Sequence, residues 1–186
     1  MKPLQQIWNE LPMKSDKGDI HSYLPVYESI LAPYRETAKN VLEVGLFNGA
    51  SLMLWEKYFT SAKIHGIDCD EQPHGGMADL RPLMDNYNIS IGNAESIDDI
   101  KKFYGGIKFD VIVEDAGHDV TQQLKIFEVL HPYLAKGGVY VIEDIQDLER
   151  YGHLFLEVRE LYKRDVEIVD RRNIKNRYDD CLIIIR

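Results

Sequence analysis

The sequence predicts an α/β fold: a Rossmann-like, doubly wound, mostly parallel seven-stranded sheet with an antiparallel C-terminal hairpin strand. Three observations carry that prediction. Short β-branched runs alternate with longer amphipathic stretches through most of the chain, which implies right-handed crossovers and a parallel sheet covered on both faces. A glycine-bearing turn follows the first run. Two late apolar runs are separated by only a short polar turn, the pattern of a hairpin.

The runs read as strands are NVLEVG (40–45), KIHGID (63–68), ISIG (89–92), FDVIVED (109–115) and GGVYVIED (137–144). Helices are expected between them at about 49–59, 77–87, 95–104 and 119–134. The last has the clearest period, with Leu124, Phe127, Leu130 and Leu134 at helical spacing, and the glycines of AKGGV stop it. The tail adds a helix near 151–164, then VEIVDR and DCLIIIR as the hairpin strands. Trp8, Trp55 and Phe59 fall at helical positions and are expected in the core. QPHGGMADL (72–80) reads as a loop over the strand ends.

Composition narrows the function classes. At 186 residues one domain spanning 1–186 is expected, with residues 1–35 forming a short helix and a substrate-facing segment. A net charge of −9 argues against non-specific binding to nucleic acid or an anionic membrane, both polyanions. Cys69 and Cys181 are too few for a disulfide framework, so a reduced, cytoplasmic setting is expected. The first residues lack a signal-peptide core, and no stretch approaches the ~20 apolar residues of a membrane span.

Ligands of open α/β sheets bind at the carboxyl ends of the strands. The first strand runs into EVGLFNGAS, where Gly45 and Gly49 permit a tight turn and close backbone approach. A dinucleotide fingerprint would place glycine at position 47; Phe47 stands there, and there is no P-loop pattern. The second strand ends at Asp68, an acid placed to accept from ribose hydroxyls. The turn, Asp68 and the tail hairpin together fit an adenosyl ligand without a pyrophosphate.

Residues 40–144 resemble the class I S-adenosylmethionine-dependent methyltransferases, through VLEVGLFNGAS and GIDCD. SDKGDIHSYLPVYESILAPYR (15–35) is similar to a segment of the sugar O-methyltransferases of the macrocin and mycinamicin type, shared with cephalosporin-hydroxylase-like proteins. The resemblance implies that Glu43, Gly45, Asn48, Gly49 and Ser51 line the methionine end of S-adenosylmethionine, that Asp68 takes its ribose, and that Asn93 and Ala94 flank its adenine.

Strands four and five are neighbours in a doubly wound sheet, so Asp115, Glu143 and Asp144 are expected at one edge. Three carboxylates repel one another unless hydrated, protonated or bound to a cation, and oxygen donors suit Mg²⁺ or another hard divalent ion. His118, three residues beyond Asp115, is placed to take a proton from an attacking hydroxyl, imidazole being the side chain that exchanges protons near neutral pH. The resembled sugar methyltransferases carry D-x-S-H followed by an E-D pair; here DAGH puts Gly117 where they have serine. A competing reading has Asp115 or Asp119 capping the helix near 119, and Glu143 or Asp144 capping the segment after strand five.

The expected activity is metal-dependent transfer of a methyl group from S-adenosylmethionine to a sugar hydroxyl of a glycan or glycosylated natural product. His21 and Tyr23 are candidate substrate contacts, while His65, His74, His131 and His153 are expected to be structural or superficial. The larger relatives implied by the resemblance carry an additional N-terminal domain, so the acceptor pocket is expected from residues 15–35, the loops or a second copy in a homo-oligomer. Two other classes are a catechol-type small-molecule O-methyltransferase, expected to show an aromatic-rich wall, and a non-catalytic adenosyl-binding module of a glycan-assembly complex, which would need neither the acids nor His118.

Overall fold

The computed structural model describes residues 1–186 apart from the side chain of His74, so the expectation for that histidine lies outside the described residues. Helices α1 (Leu4–Glu10), α2 (Asp16–Asp19) and α3 (Leu24–Leu31) precede β1 (Asn40–Val44). After them come α4 (Ala50–Tyr58), β2 (Lys63–Asp68), α5 (Pro73–Gly76), β3 (Asn88–Ile91), α6 (Ile97–Tyr104), β4 (Phe109–Glu114), α7 (Val120–Leu130) and β5 (Leu134–Ile142). The tail is α8 (Leu148–Tyr162), β6 (Val166–Asp170), α9 (Arg172–Lys175) and β7 (Cys181–Ile185).

The seven strands lie in the order β3-β2-β1-β4-β5-β7-β6. β1 through β5 pair in parallel, and β7 runs antiparallel to both β5 and β6. The expected mixed sheet is therefore present, with β7 entering beside β5 and β6 taking the outer edge.

Side-chain alternation divides the core. Val41, Val111, Val113, Val139, Val141 and Ile184 face one layer, built on α1, α3 and α4. Leu42, Val44, Ile112, Tyr140, Ile142 and Ile183 face the other, under α6, α7 and α8. Trp55 and Phe59 are core residues as expected, with Trp8 packed at the margin. Burying one such aliphatic side chain contributes roughly 1.5–3 kcal/mol, so the strand centres are the stable frame on which loops can be placed.

Two expectations are corrected. No long helix spans 77–87; α5 stops after one turn at Gly75 and Gly76, both at positive φ, and only a 3₁₀ turn forms at Arg81–Leu83. Pro82 and the glycine pair explain the break, since neither residue type sustains a helix interior. β5 begins earlier than expected and ends at Ile142, which leaves Glu143 and Asp144 just past the strand. No helix among the described residues is long and apolar enough to cross a membrane.

Candidate functional site

Strand order reverses between β1 and β4, where crossovers leave in opposite directions and open a crevice. A cavity of about 800 Å³ lies there, walled by the turns after β1, β2, β3 and β4 and by residues 14–20. Gly45 starts its first wall at φ 82°, and a Cβ there would lie 2.1 Å from the Asp115 carbonyl oxygen. Only glycine fits that crossing of two turns. The Leu46 amide donates to Asp68 Oδ2 at 2.8 Å, which ties the β1 turn to the end of β2. Asn48 Oδ1 accepts from the Ala50 amide at 3.0 Å and orders the start of α4.

Of the residues expected around a cofactor, Gly45, Asn48, Ser51, Asp68, Asn93 and Ala94 line this cavity. Gly49 does not; its φ of 75° lets the chain turn into α4. Glu43 does not either, being fully buried, with Trp55 Nε1 donating to it at 3.2 Å.

What occupies Glu43 is Lys17. This lysine lies on α2, is 0% exposed, and inserts its ammonium among three carboxylates. Nζ is 2.6 Å from Asp115 Oδ2, 3.0 Å from Glu143 Oε1 and 3.3 Å from Glu43 Oε1. Burial, the largest influence, disfavours the ammonium, but the three acids outweigh it and hold the Lys17 pKa well above its ordinary value. One ammonium balances one carboxylate. Burial accordingly pushes the carboxyls up, Glu43 to about 7 and Asp115 and Glu143 in the same direction.

This pairing changes the expected metal trio. Glu143 is turned to Lys17 and to the Tyr27 hydroxyl, which donates to it, while Asp144 faces elsewhere. Consecutive residues at a strand end point to opposite sides, so Glu143 and Asp144 do not converge with Asp115 as one set. The donors that do converge are Asp115, His118 and Asp144, one atom from each lying within 4.8 Å of the others. All three line the cavity. Asp144 adopts φ 56°, a left-handed conformation costly for a non-glycine residue, and burial raises its pKa to about 8. His118 Nδ1 is 3.5 Å from Asp144 Oδ2, and its ring is 38% exposed towards the cavity.

Asp119, and not Asp115, caps α7, accepting from the Thr121 and Gln122 amides. His21 and Tyr23 are not cavity residues. Both are buried and stack at 4.7 Å behind Asp144, whose Oδ1 accepts from the Tyr23 hydroxyl at 2.7 Å. These two residues stand behind Asp144 because the chain from Ser15 to Tyr27 packs against the ends of β1, β4 and β5 and the start of β7. His65 is buried beside Tyr104 and Phe109, and His153 is exposed. Pro73 and Met77 of the 72–80 loop reach the cavity wall.

Nothing in the sequence pattern marks Lys17, Tyr27 or Gln122 as site residues. Gln122 Nε2 donates to Glu95 Oε1 at 2.9 Å, and its Oε1 sits 1.8 Å from where a Cβ on Gly117 would be. Gln122 therefore fills the space that a serine at 117 would claim. For Lys17 the sequence offers only a basic residue inside the acidic turn SDKGD.

Residues 42–145 match the methyltransferase domain family. The chain is 31% identical over 140 residues to an 8-demethyl-8-α-L-rhamnosyl tetracenomycin-C 2'-O-methyltransferase of Streptomyces olivaceus, covering 71% of this chain and 35% of that protein. It is 30% identical over 135 residues to a mycinamicin VI 2''-O-methyltransferase of Micromonospora griseorubida, covering 69% and 32%. The chain thus spans about a third of the length of these curated relatives. Among solved structures it is similar to MycE, a methyltransferase of the mycinamycin pathway in complex with Mg, SAH and mycinamycin VI, at TM-score 0.74 and 19% identity, covering 100% of this chain and 54% of that one.

Proposed function

This chain belongs to the methyltransferase domain family, and from that premise we propose that it is an S-adenosylmethionine-dependent O-methyltransferase that uses a divalent cation and acts on a sugar hydroxyl of a glycosylated natural product. The observation that carries the reading is one cavity lined by two different sets of groups. Gly45, Asp68, Asn93 and Ala94 are one set; Asp115, His118 and Asp144 are the other. The named activities of the relatives, all sugar O-methyltransferases, support the acceptor class.

The residues fit both groups. Asp68 offers a carboxylate already oriented by the Leu46 amide, suited to a ribose diol, and the Gly45 crossing leaves no side chain between the β1 turn and the ligand. Asp115 and Asp144 supply the oxygens a hard cation selects, and the pKa of about 8 at Asp144 reflects a buried acid lacking a full charge partner. Glu143 is left to Lys17. When bound, S-adenosylmethionine supplies the methyl group and the cation makes the acceptor hydroxyl more acidic.

The protein's own groups do the rest. Lys17 fixes Asp115, and Tyr23 fixes Asp144, so both carboxylates are held before any ligand arrives. His118, exposed to the cavity and leaning on Asp144, would accept the hydroxyl proton as the oxygen bonds to the methyl carbon and S-adenosylhomocysteine departs. Lys14, Asp16 and Asp19 face the same cavity and offer polar groups to a polyhydroxylated acceptor, where an aromatic diol would call for an apolar wall.

The test is label transfer from methyl-labelled S-adenosylmethionine to glycosylated macrolide and anthracycline acceptors bearing free sugar hydroxyls. Incorporation that requires a divalent cation and is lost in His118→Ala is expected. Incorporation into a catechol but no sugar would overturn the acceptor class, and cation-independent transfer would overturn the metal assignment.

A further inference from the structure

Behind Asp144, on the side away from the cavity, a second group of donors is assembled. His21, Asp144 and Asp179 are all buried, and one donor atom from each lies within 4.8 Å of the others. His21 is 3% exposed, and its Nδ1 makes no hydrogen bond. That nitrogen is 3.3 Å from Asp144 Oδ1 and 3.5 Å from Asp180 Oδ1, close enough for charge pairing but without hydrogen-bond alignment. A buried ring nitrogen facing carboxylates with no partner of its own calls for an occupant, since buried polar atoms are otherwise satisfied.

The surroundings hold these donors in place. Tyr23 stacks on the His21 ring and donates to Asp144 Oδ1. Arg177 donates to both oxygens of Asp179, at 2.9 and 2.7 Å. Asp180 is spent on the Ser22 amide and hydroxyl. Lys175 Nζ pins the backbone carbonyls of Gly18, Asp19 and His21. Partners that orient ligands without replacing them are what metal sites use around the coordinating atoms. A carboxylate has about four lone-pair directions, so Arg177 and Tyr23 leave room on Asp179 and Asp144 for a cation.

We propose that His21, Asp144 and Asp179 form a second cation site, for a divalent transition-metal ion such as Zn²⁺ or Mn²⁺, with Asp144 bridging to the cavity site through its other oxygen. Imidazole nitrogen with carboxylate oxygen is the donor set of such ions, whereas Mg²⁺ is served by oxygen alone. The two histidines divide accordingly. His118 opens on the cavity and is free for proton transfer; His21 is sealed from it and has no substrate proton to take. The bridge uses Asp144 Oδ1 on the His21 side and Oδ2 on the His118 side. The site needs His21 and Asp179, neither of which lines the cavity, so it can fail while the proposed transfer reaction survives.

The experiment is equilibrium titration of the EDTA-treated chain with Mn²⁺, with bound metal counted by mass spectrometry after buffer exchange. Two equivalents are expected in the native chain, and one in both His21→Gln and Asp179→Asn. Equal stoichiometry in the native chain and His21→Gln would overturn the site. Because the buried variants could fail to fold, the same question is put to His118→Ala, altered only at an exposed ring. Electron spin echo spectra of its bound Mn²⁺ should retain a nitrogen coupling from His21, and the absence of any nitrogen coupling there would overturn the assignment. Loss of labelled methyl transfer with both equivalents intact would instead count against the proposed reaction alone.

Discussion

Replacing Lys17 with methionine keeps most of the side-chain volume and removes an ammonium that lies within 3.3 Å of Asp115, Glu143 and Glu43. The acids are then left buried without that counter-charge. Removing one partner of such a buried pair costs about 3–5 kcal/mol. For a chain of this size each kcal/mol lowers Tm by roughly 2–4 °C, so a fall of about 6–20 °C is expected by differential scanning calorimetry at neutral pH. The pH dependence has a definite sign. Carboxyls whose folded pKa is raised, such as Glu43 at about 7, contribute stability that is present below their unfolded value near 4.5 and lost as pH rises through the folded one. Taking away the ammonium raises these folded values further, so the deficit of Lys17→Met should be smaller near pH 5 than at pH 8. Adding Glu143→Gln to the variant should restore part of the loss, since the two sites share one interaction. A Tm within about 2 °C of the native chain at pH 8, or a deficit independent of pH, would refute the view that Lys17 neutralises this cluster.

Three further outcomes are expected from the geometry. His118→Ala should lower methyl transfer by about 10²–10⁴-fold, the usual worth of a positioned base, with cofactor affinity by calorimetry unchanged. Gly45→Ala puts a Cβ 2.1 Å from the Asp115 carbonyl at φ 82°, so it should weaken cofactor binding and cost about 1–3 kcal/mol in denaturant unfolding. Asp119→Ala removes the α7 cap and should cost roughly 1 kcal/mol by the same unfolding measurement, with metal binding unaffected.

Much of this architecture is legible in the sequence alone. The β-branched runs are strong signals because β1, β4 and β5 are buried on both faces, which forces near-continuous apolar sequence. A helix over 77–87 is suggested by apolar spacing that survives while Gly75, Gly76 and Pro82 break the backbone. At the site, the cavity positions of Asp115, His118 and Asp144 follow from strand order. The departure of Glu143 does not, because it depends on Lys17, ninety-eight positions from Asp115 along the chain and visible only in three dimensions. Likewise His21 and Tyr23 look like substrate residues in SDKGDIHSY, yet burial makes them the support of Asp144. A motif shows that residues matter together; which of them touch a ligand is decided by packing.

The most direct test of the central claim is calorimetric titration of S-adenosylmethionine, and then Mg²⁺, into the EDTA-treated chain and its Asp68→Ala and Asp144→Asn variants. The account predicts micromolar cofactor binding, about −8 kcal/mol, weakened at least about tenfold in Asp68→Ala, together with a separate cation event missing from Asp144→Asn. A native chain that gives no heat with S-adenosylmethionine, or binds it equally well without the Asp68 carboxylate, would contradict it.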